Sequence, residues 1–297
     1  MELVLGTAQL GMDYGINNTV GKPSSSDAFD ILETAFSNGI KILDTAAAYG
    51  DSEKIIGEYM SSTNNYFKVA TKLPKLSYTA DLEKEVQNSI GRSLENLGIR
   101  SIDYYFFHSF KDFKDHTEIL SILKSQQDRG KILEIGVSLY DTEELKYILD
   151  TEEKYINVVQ IPFNIFDLRW EKKYLLERAK EKSIKIFTRS TYLQGLFFLN
   201  KQAAEKIHAK AYHYIDMLSQ FAYQNNIGID EVAMQYIKLH NEIDYVLIGC
   251  ETVDQLKSNL NNFAIDCSDK YQLFRKFAST NFSNIEKEII DPRLWTR

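Results

Sequence analysis

A closed α/β barrel of the (β/α)8 type is the fold this sequence predicts, and three observations predict it. Short apolar runs rich in branched and aromatic residues alternate with longer stretches of helical spacing, the alternation recurs eight times, and no shift in composition divides the 297 residues. The whole chain therefore reads as one domain. An open doubly wound sheet is the alternative; a nucleotide-binding version would carry a G-x-G-x-x-G turn after its first strand, and GTAQLGMDYG lacks that spacing.

The first strand is expected at Leu3–Ala8. Ala28, Ile31, Leu32, Ala35 and Phe36 then recur at one helical face that stops at Gly39. Ile42–Ala46 is the second strand, with helix from Ser52 to Met60. Phe67–Lys72 is the third, and Leu82–Leu97 is a helix closed by Gly98. Tyr104–Ser109 is the fourth, followed by helix Ile119–Arg129 with Gly130 as its stop. Ile132–Leu139 with helix Glu143–Leu149, Val158–Phe163 with helix Lys172–Glu181, and Lys185–Arg189 complete seven strands. After a long helical region, Tyr245–Gly249 is the eighth, with Val253–Phe263 behind it. The barrel core thus covers about residues 3–263. Two segments exceed the repeat: an insertion from Gly195 to about His213 and a C-terminal extension, 269–297. In barrels such additions commonly cover the catalytic mouth.

Composition narrows the function classes. A net charge of -7, with basic residues dispersed, argues against a nucleic-acid partner, which needs a Lys/Arg face. The opening MELVLGTAQLG has no signal-peptide pattern, and no apolar run approaches the roughly 20 residues that cross a bilayer, so a cytoplasmic protein without a membrane partner is expected. Cys250 and Cys267 are too far apart for a metal knuckle and read as ordinary reduced cysteines. The five histidines show neither H-x-H nor H-E-x-x-H spacing, so no metal site is expected.

Chemistry in a barrel sits at the C-terminal ends of the strands. Here strand two ends in Asp44 with Tyr49 just after it, strand three in Lys72 and strand four in His108. Taken singly, an Asp after a strand is most simply a cap, a loop Tyr packing, a Lys a solvated charge and a His a hydrogen-bonded structural residue. Together they place an acid, a phenol, an amine and an imidazole on one rim.

LGTAQLG, ILDTAAAYGDSEKIIGEY, ATKL, DYYFFHS, KILEIGVS, VVQIPFN and LIGCETVDQLKSNL, in this order from about residue 3 to 263, make the sequence resemble the aldo-keto reductase superfamily. The resemblance implies a barrel that binds extended NAD(P)H without a Rossmann motif and interconverts carbonyls and alcohols, with Tyr49, Lys72, Asp44 and His108 as its tetrad. Carbonyl reduction needs a hydride donor and an acid that protonates the oxygen as charge develops there. Tyr49 suits the acid, Lys72 would make its phenol more acidic, Asp44 would hold the ammonium in place, and neutral His108 would orient the carbonyl by a hydrogen bond. The resemblance also implies cofactor contacts from Thr7, Gln9, Asp44, Ser138, Gln160, Arg189, Ser190, Leu193, Gly195, Gly249, Glu251, Gln255 and Asn259. Two positions depart from the family's pattern: Leu139 stands where an Asn commonly follows the Ser, and Arg189 where an aromatic residue commonly stacks on the nicotinamide. In the loop after strand eight, many members place Lys, Ser or Arg against the 2'-phosphate of NADP. This chain has Glu251, Thr252, Gln255 and Asn259, with Lys257 nearby, and a carboxylate repels phosphate. NADH is therefore expected to serve at least as well as NADPH.

For the substrate, the expected pocket is Tyr14, Phe110 and Trp295, with Phe282 of the tail. GTAQLGMDYGI and DPRLW also look like a subgroup associated with bacterial surface-polysaccharide biosynthesis, which implies a small carbonyl or sugar-like substrate. The competing function is a nicotinamide-binding, redox-sensing subunit with little turnover. An intact tetrad argues against that reading, and metal-assisted hydrolysis lacks ligands. The oligomeric state is not legible in the sequence.

Overall fold

The computed structural model describes residues 1–76, 81–151, 154–266 and 268–295. In chain order the elements are β1 (Glu2–Gly6), α1 (Ala8–Gly11), α2 (Ser25–Ser37), β2 (Ile42–Asp44), α3 (Ser52–Thr63), β3 (Lys68–Lys72), α4 (Leu82–Leu97), β4 (Ile102–Phe107), α5 (Phe110–Asp115) and α6 (Thr117–Asp128). They continue with β5 (Ile132–Ser138), α7 (Thr142–Asp150), β6 (Val158–Pro162), α8 (Leu175–Glu181), β7 (Lys185–Arg189), α9 (Lys201–Ile207), α10 (Ala211–Gln224), α11 (Ile229–Lys238), β8 (Tyr245–Gly249), α12 (Val253–Ala264), α13 (Tyr271–Asn281) and α14 (Lys287–Ile290). The eight strands are parallel and close on themselves in sequence order, β1 pairing with both β2 and β8. The predicted barrel is the observed fold.

Strand alternation sorts the apolar residues into two cores. Val4, Ile42, Ala70, Tyr104, Phe106, Val158, Phe187 and Leu247 point inward and fill the barrel. Their neighbours, such as Leu3, Leu5, Leu43, Val69, Tyr105, Phe107, Val159 and Ile186, point outward and join the helices in the larger core. The same period carries past the apolar layer. Two residues beyond Ile42, Ala70, Phe106, Val158, Phe187 and Leu247 lie Asp44, Lys72, His108, Gln160, Arg189 and Gly249. The inner core thus puts the polar strand ends on one inward rim.

Several element ends differ from the predicted ones. β2 ends on Asp44, and the last residues expected for it lead into the turn that carries Tyr49, where Tyr49 N donates to Ala46 O. The helix expected at Lys172–Glu181 begins only at Leu175, since a 3-10 turn over Leu168–Tyr174 precedes it and Tyr174 sits at φ 52. The short α5 after His108 is unforeseen, and the insertion after β7 folds as a 3-10 segment, Leu193–Phe198, followed by α9. Phe277 of the extension stacks on Phe221 at 3.9 Å, while Phe282 packs on Phe166 at 4.7 Å. Cys250 is buried, which pushes its thiol up to about 12 and leaves it unreactive. Cys267 and residues 296 and 297 of the extension lie outside the described residues.

Candidate active site

Asp44 and Lys72 form the base of the site. The Lys72 Nζ donates to Asp44 Oδ1 at 2.6 Å and to Thr45 O at 2.8 Å, and both side chains are buried, at 1% and 4% exposure. Burying two charges is costly unless the remaining lone pairs are also satisfied. Gln160 does that from β6, its Nε2 donating to Asp44 Oδ2 at 2.8 Å.

Tyr49 stands above this pair. Its ring centroid lies 5.2 Å from Lys72 Nζ and 6.2 Å from the His108 ring, which meets it edge-on at 84°. The Tyr49 turn is held by backbone contact with α1. A Cβ on Gly11 would lie 1.8 Å from Tyr49 O, and one on Gly50, at φ +54, would lie 2.3 Å from Gly11 O. Only glycine fits at either position. Below the turn, Ser52 donates to Thr7 Oγ1 at 2.8 Å and accepts from Thr45 at 3.0 Å, while Thr7 donates to Asp44 O at 2.9 Å. The buried Glu53 accepts from Thr71 at 2.7 Å and from Asn96 at 3.2 Å. Ser52 and Glu53 thus tie the ends of β1, β2 and β3 to α3. Their place in the quoted YGDSE segment was the signal for this role.

Burial moves both acid-base groups. Burial and then the Asp44 carboxylate push the Tyr49 phenol well above its ordinary value, with Arg189 opposing. The expectation that Lys72 makes this phenol more acidic meets a net shift in the other direction, because burial disfavours the phenolate and the Asp44 carboxylate that pairs with Lys72 adds to the rise. Burial, then Lys72 and Arg189, lower His108 to about 4, so its imidazole is neutral at pH 7.

A cleft of about 280 Å³ runs from this base, where Asp44 and Tyr49 line it, to the start of α12. Thr7, Gln9, Tyr14, Gln160, Arg189, Ser190, Gly195, Gly249, Glu251, Gln255 and Asn259 also line it, as the sequence predicts for all but Tyr14, which was expected on the substrate side. Asn17, Tyr192, Phe198, Asp230 and Ser258 line it as well and were not foreseen; Asn17 and Tyr192 come from loops, Phe198 from the 3-10 segment after β7, Asp230 from the start of α11 and Ser258 from the middle of α12. Lys72, His108, Ser138 and Leu193 do not line the cleft; Leu193 is fully buried beneath its own turn. Phe110 packs on Phe113 and Tyr147, and Trp295 donates to Ile289 O at 3.2 Å, so neither faces the cleft.

The Arg189 guanidinium lies 3.9 Å from the Tyr140 ring centroid and donates to Leu139 O at 3.0 Å, so a protein ring packs on it at the cleft wall.

The cleft has features that fit a nucleotide. A Cβ on Gly249 would lie 2.5 Å from Gln9, so glycine there lets the Gln9 amide lie across the end of β8. Across the cleft, Ser190, Leu193, Gln194 and Gly195 all have positive φ, which turns the segment after β7 back over it. Gln194 O accepts from Ile16 N at 3.2 Å and its Nε2 donates to Tyr14 Oη at 3.0 Å, joining two loops. Its Oε1 is buried without a partner at the cleft wall, where a ligand hydroxyl or amide can satisfy it. Among the described residues no cluster of His, Cys, Asp and Glu is arranged to hold a metal, and no helix is long and apolar enough to cross a membrane.

The chain is 27% identical to D-arabinose 1-dehydrogenase of Saccharomyces cerevisiae, covering 92% of this chain and 86% of that protein. It is 26% identical to L-galactose dehydrogenase of Arabidopsis thaliana over 82% of this chain and 80% of the relative. Among solved structures, an aldo-keto reductase from Bacillus halodurans in its holo form superposes with a TM-score of 0.76 at 19% identity, covering 98% and 95% of the two chains. The glycerol dehydrogenase of Gluconobacter oxydans gives 0.74 at 19% identity, with 96% and 93% covered. The family model for the Aldo/keto reductase family matches residues 2–273. With that match over nearly the whole barrel, the chain belongs to the aldo/keto reductase family and is an oxidoreductase of the class that acts on carbonyls and sugars with nicotinamide cofactors.

Proposed function

We propose that this protein reduces an aldehyde, ketone or sugar-like carbonyl to an alcohol, or runs the reverse reaction, with Tyr49 as the proton donor. The observation that carries the reading is the meeting of Tyr49, His108 and the Asp44–Lys72 pair beside a cleft that Asp44 and Tyr49 line together with Gln9, Gln160, Ser190 and Glu251. A bound nicotinamide nucleotide supplies or accepts the hydride. Tyr49, whose raised pKa keeps the phenol protonated at neutral pH, gives its proton to the carbonyl oxygen. Neutral His108 donates a hydrogen bond to the same oxygen and orients the substrate. Lys72, fixed by Asp44 and Thr45, stabilises the phenolate that Tyr49 leaves behind. The names of the arabinose and galactose dehydrogenases support a sugar or sugar-derived substrate.

The adenosine end of the cleft supports NADH over NADPH. Glu251 and Asp230 line it, and among the described residues Arg189, at the other end, is the sole Lys or Arg on the cleft wall. A 2'-phosphate would meet carboxylates there, whereas a ribose hydroxyl can donate to one. Following cofactor oxidation with a panel of aldehydes, ketones and sugars tests both statements. Undiminished turnover by Tyr49→Phe would remove Tyr49 as the acid, and a large NADPH preference in kcat/KM would overturn the cofactor assignment. Cofactor binding without turnover on any substrate would favour the redox-sensing alternative.

A further inference from the structure

Tyr140, just beyond β5, has two guanidinium groups over its ring: Arg189 at 3.9 Å from the centroid and Arg293 at 3.7 Å. Two groups so close to one centroid cannot share a face, so the ring lies between them. One guanidinium comes from the end of β7 at the cleft and the other from the C-terminal extension. Each part is separately held. Arg189 Nη2 donates to Leu139 O, Tyr140 N donates to Glu144 Oε2 at 2.6 Å, and Arg293 makes two bonds to the buried Asp291 at 2.9 and 2.6 Å. Lys287 bonds Asp141 at 2.9 Å, a second tie between the extension and the β5 loop.

The charges around the site are not equally balanced. Lys72 is matched by Asp44 and Arg293 by Asp291, but none of the ion pairs among the described residues includes Arg189. Its charge acts on both groups that face the reacting oxygen. At Tyr49 it opposes burial, Asp44 and Tyr140; at His108 it adds to burial and Lys72, with Asp112 opposing.

We propose that Tyr140 and Arg293 are positioning residues that clamp Arg189, so that the C-terminal extension fixes one unpaired positive charge beside Tyr49 and His108. This rests on Tyr49 as the acid and His108 as the orienting group. An arginine at a strand end samples many rotamers, several of them turned to solvent, where its charge is screened. Stacking on Tyr140 removes that freedom, and Arg293 on the opposite face stops the ring from rotating away. A charge held there favours the phenolate that develops as Tyr49 gives up its proton, and disfavours imidazolium at His108.

The test is an NMR titration of the His108 ring in the full-length protein, together with kcat/KM over the carbonyl panel, for Arg189→Met, Tyr140→Ala, Tyr140→Phe and Arg293→Ala. In Arg189→Met the His108 pKa rises by about half a unit or more and kcat/KM falls about tenfold. Tyr140→Ala and Arg293→Ala move both readouts the same way by smaller amounts, and Tyr140→Phe, which keeps the ring, recovers the wild-type titration. Arg293 is half exposed, so its alanine variant keeps the test alive if Tyr140→Ala fails to fold. A His108 titration and kcat/KM at wild-type values in Arg293→Ala and Arg189→Met would overturn the proposal, reducing the extension to packing. A shifted titration in a protein that turns over no carbonyl would uphold the clamp and refute the proposed reaction instead.

Discussion

Asp44→Asn removes one charge from the buried pair while keeping the shape of the side chain, which makes its effect calculable from the hydrogen bonds. Both carboxylate oxygens accept from donors, Lys72 Nζ at 2.6 Å and Gln160 Nε2 at 2.8 Å. An asparagine offers one oxygen and one N–H2 group, so one of those donors must face another donor. Gln160 can relieve the conflict by turning its amide over, since it lines the cleft. Lys72 has no such escape, because its side chain is 1% exposed and its other partner is the neutral Thr45 carbonyl. Breaking a buried pair from one side costs about 3–5 kcal/mol. For a chain of this size that corresponds to a fall in Tm of roughly 5–10 °C. With the ammonium no longer fixed, kcat/KM should fall about 100-fold, with cofactor affinity changed far less. Thermal melts and steady-state kinetics measure both. The double variant Asp44→Leu/Lys72→Met should recover much of the stability and none of the activity, because replacing both charges removes the desolvation cost along with the function. An Asp44→Asn protein that melts within about 1 °C of wild type and keeps full activity would refute this account of the pair.

Gly11→Ala should destabilise the protein by about 2 kcal/mol or more and cost most of its activity, since the new Cβ would lie 1.8 Å from Tyr49 O and must displace the turn that aims the phenol; circular dichroism melts with kinetics measure this. Stability should also fall in acid. His108 and His240 both have folded pKa values near 4, below the ordinary 6.5, so between those limits the unfolded chain binds protons that the folded chain does not. Their contribution is complete above about pH 6.5 and is lost as pH falls toward 4, and His240→Gln should flatten that part of a Tm-against-pH curve. Replacing the cleft carboxylate, Glu251→Gln, should raise kcat/KM for NADPH by about fivefold with little change for NADH, and Glu251→Lys should raise it further.

The tetrad positions were legible because each is tied to local chain order. Asp44, Lys72 and His108 fall two residues beyond inward apolar side chains, and a strand's period of two carries them to the rim without further information, while Tyr49 follows in the turn after Asp44. Much of the cleft wall was named through the family resemblance, whose motifs fall on strand ends and on α12. Phe110 and Trp295 were misplaced because helical and tail residues choose partners through packing. Phe110 goes to Phe113 and Tyr147, and Trp295 to the carbonyl of Ile289.

By itself, then, the sequence determined the barrel, the order of its strands and the inward direction of the polar strand ends, since hydrophobic periodicity acts over a few residues and survives without knowledge of neighbours. Tertiary structure alone decided how the charges are matched. It gave Asp44 a second donor in Gln160, laid Arg189 on Tyr140, and brought Arg293 of the C-terminal extension onto the same ring. These contacts join residues far apart in the chain, 116 positions in the case of Asp44 and Gln160. The energy of a charge depends on distance and burial in three dimensions, which no local pattern in the chain records.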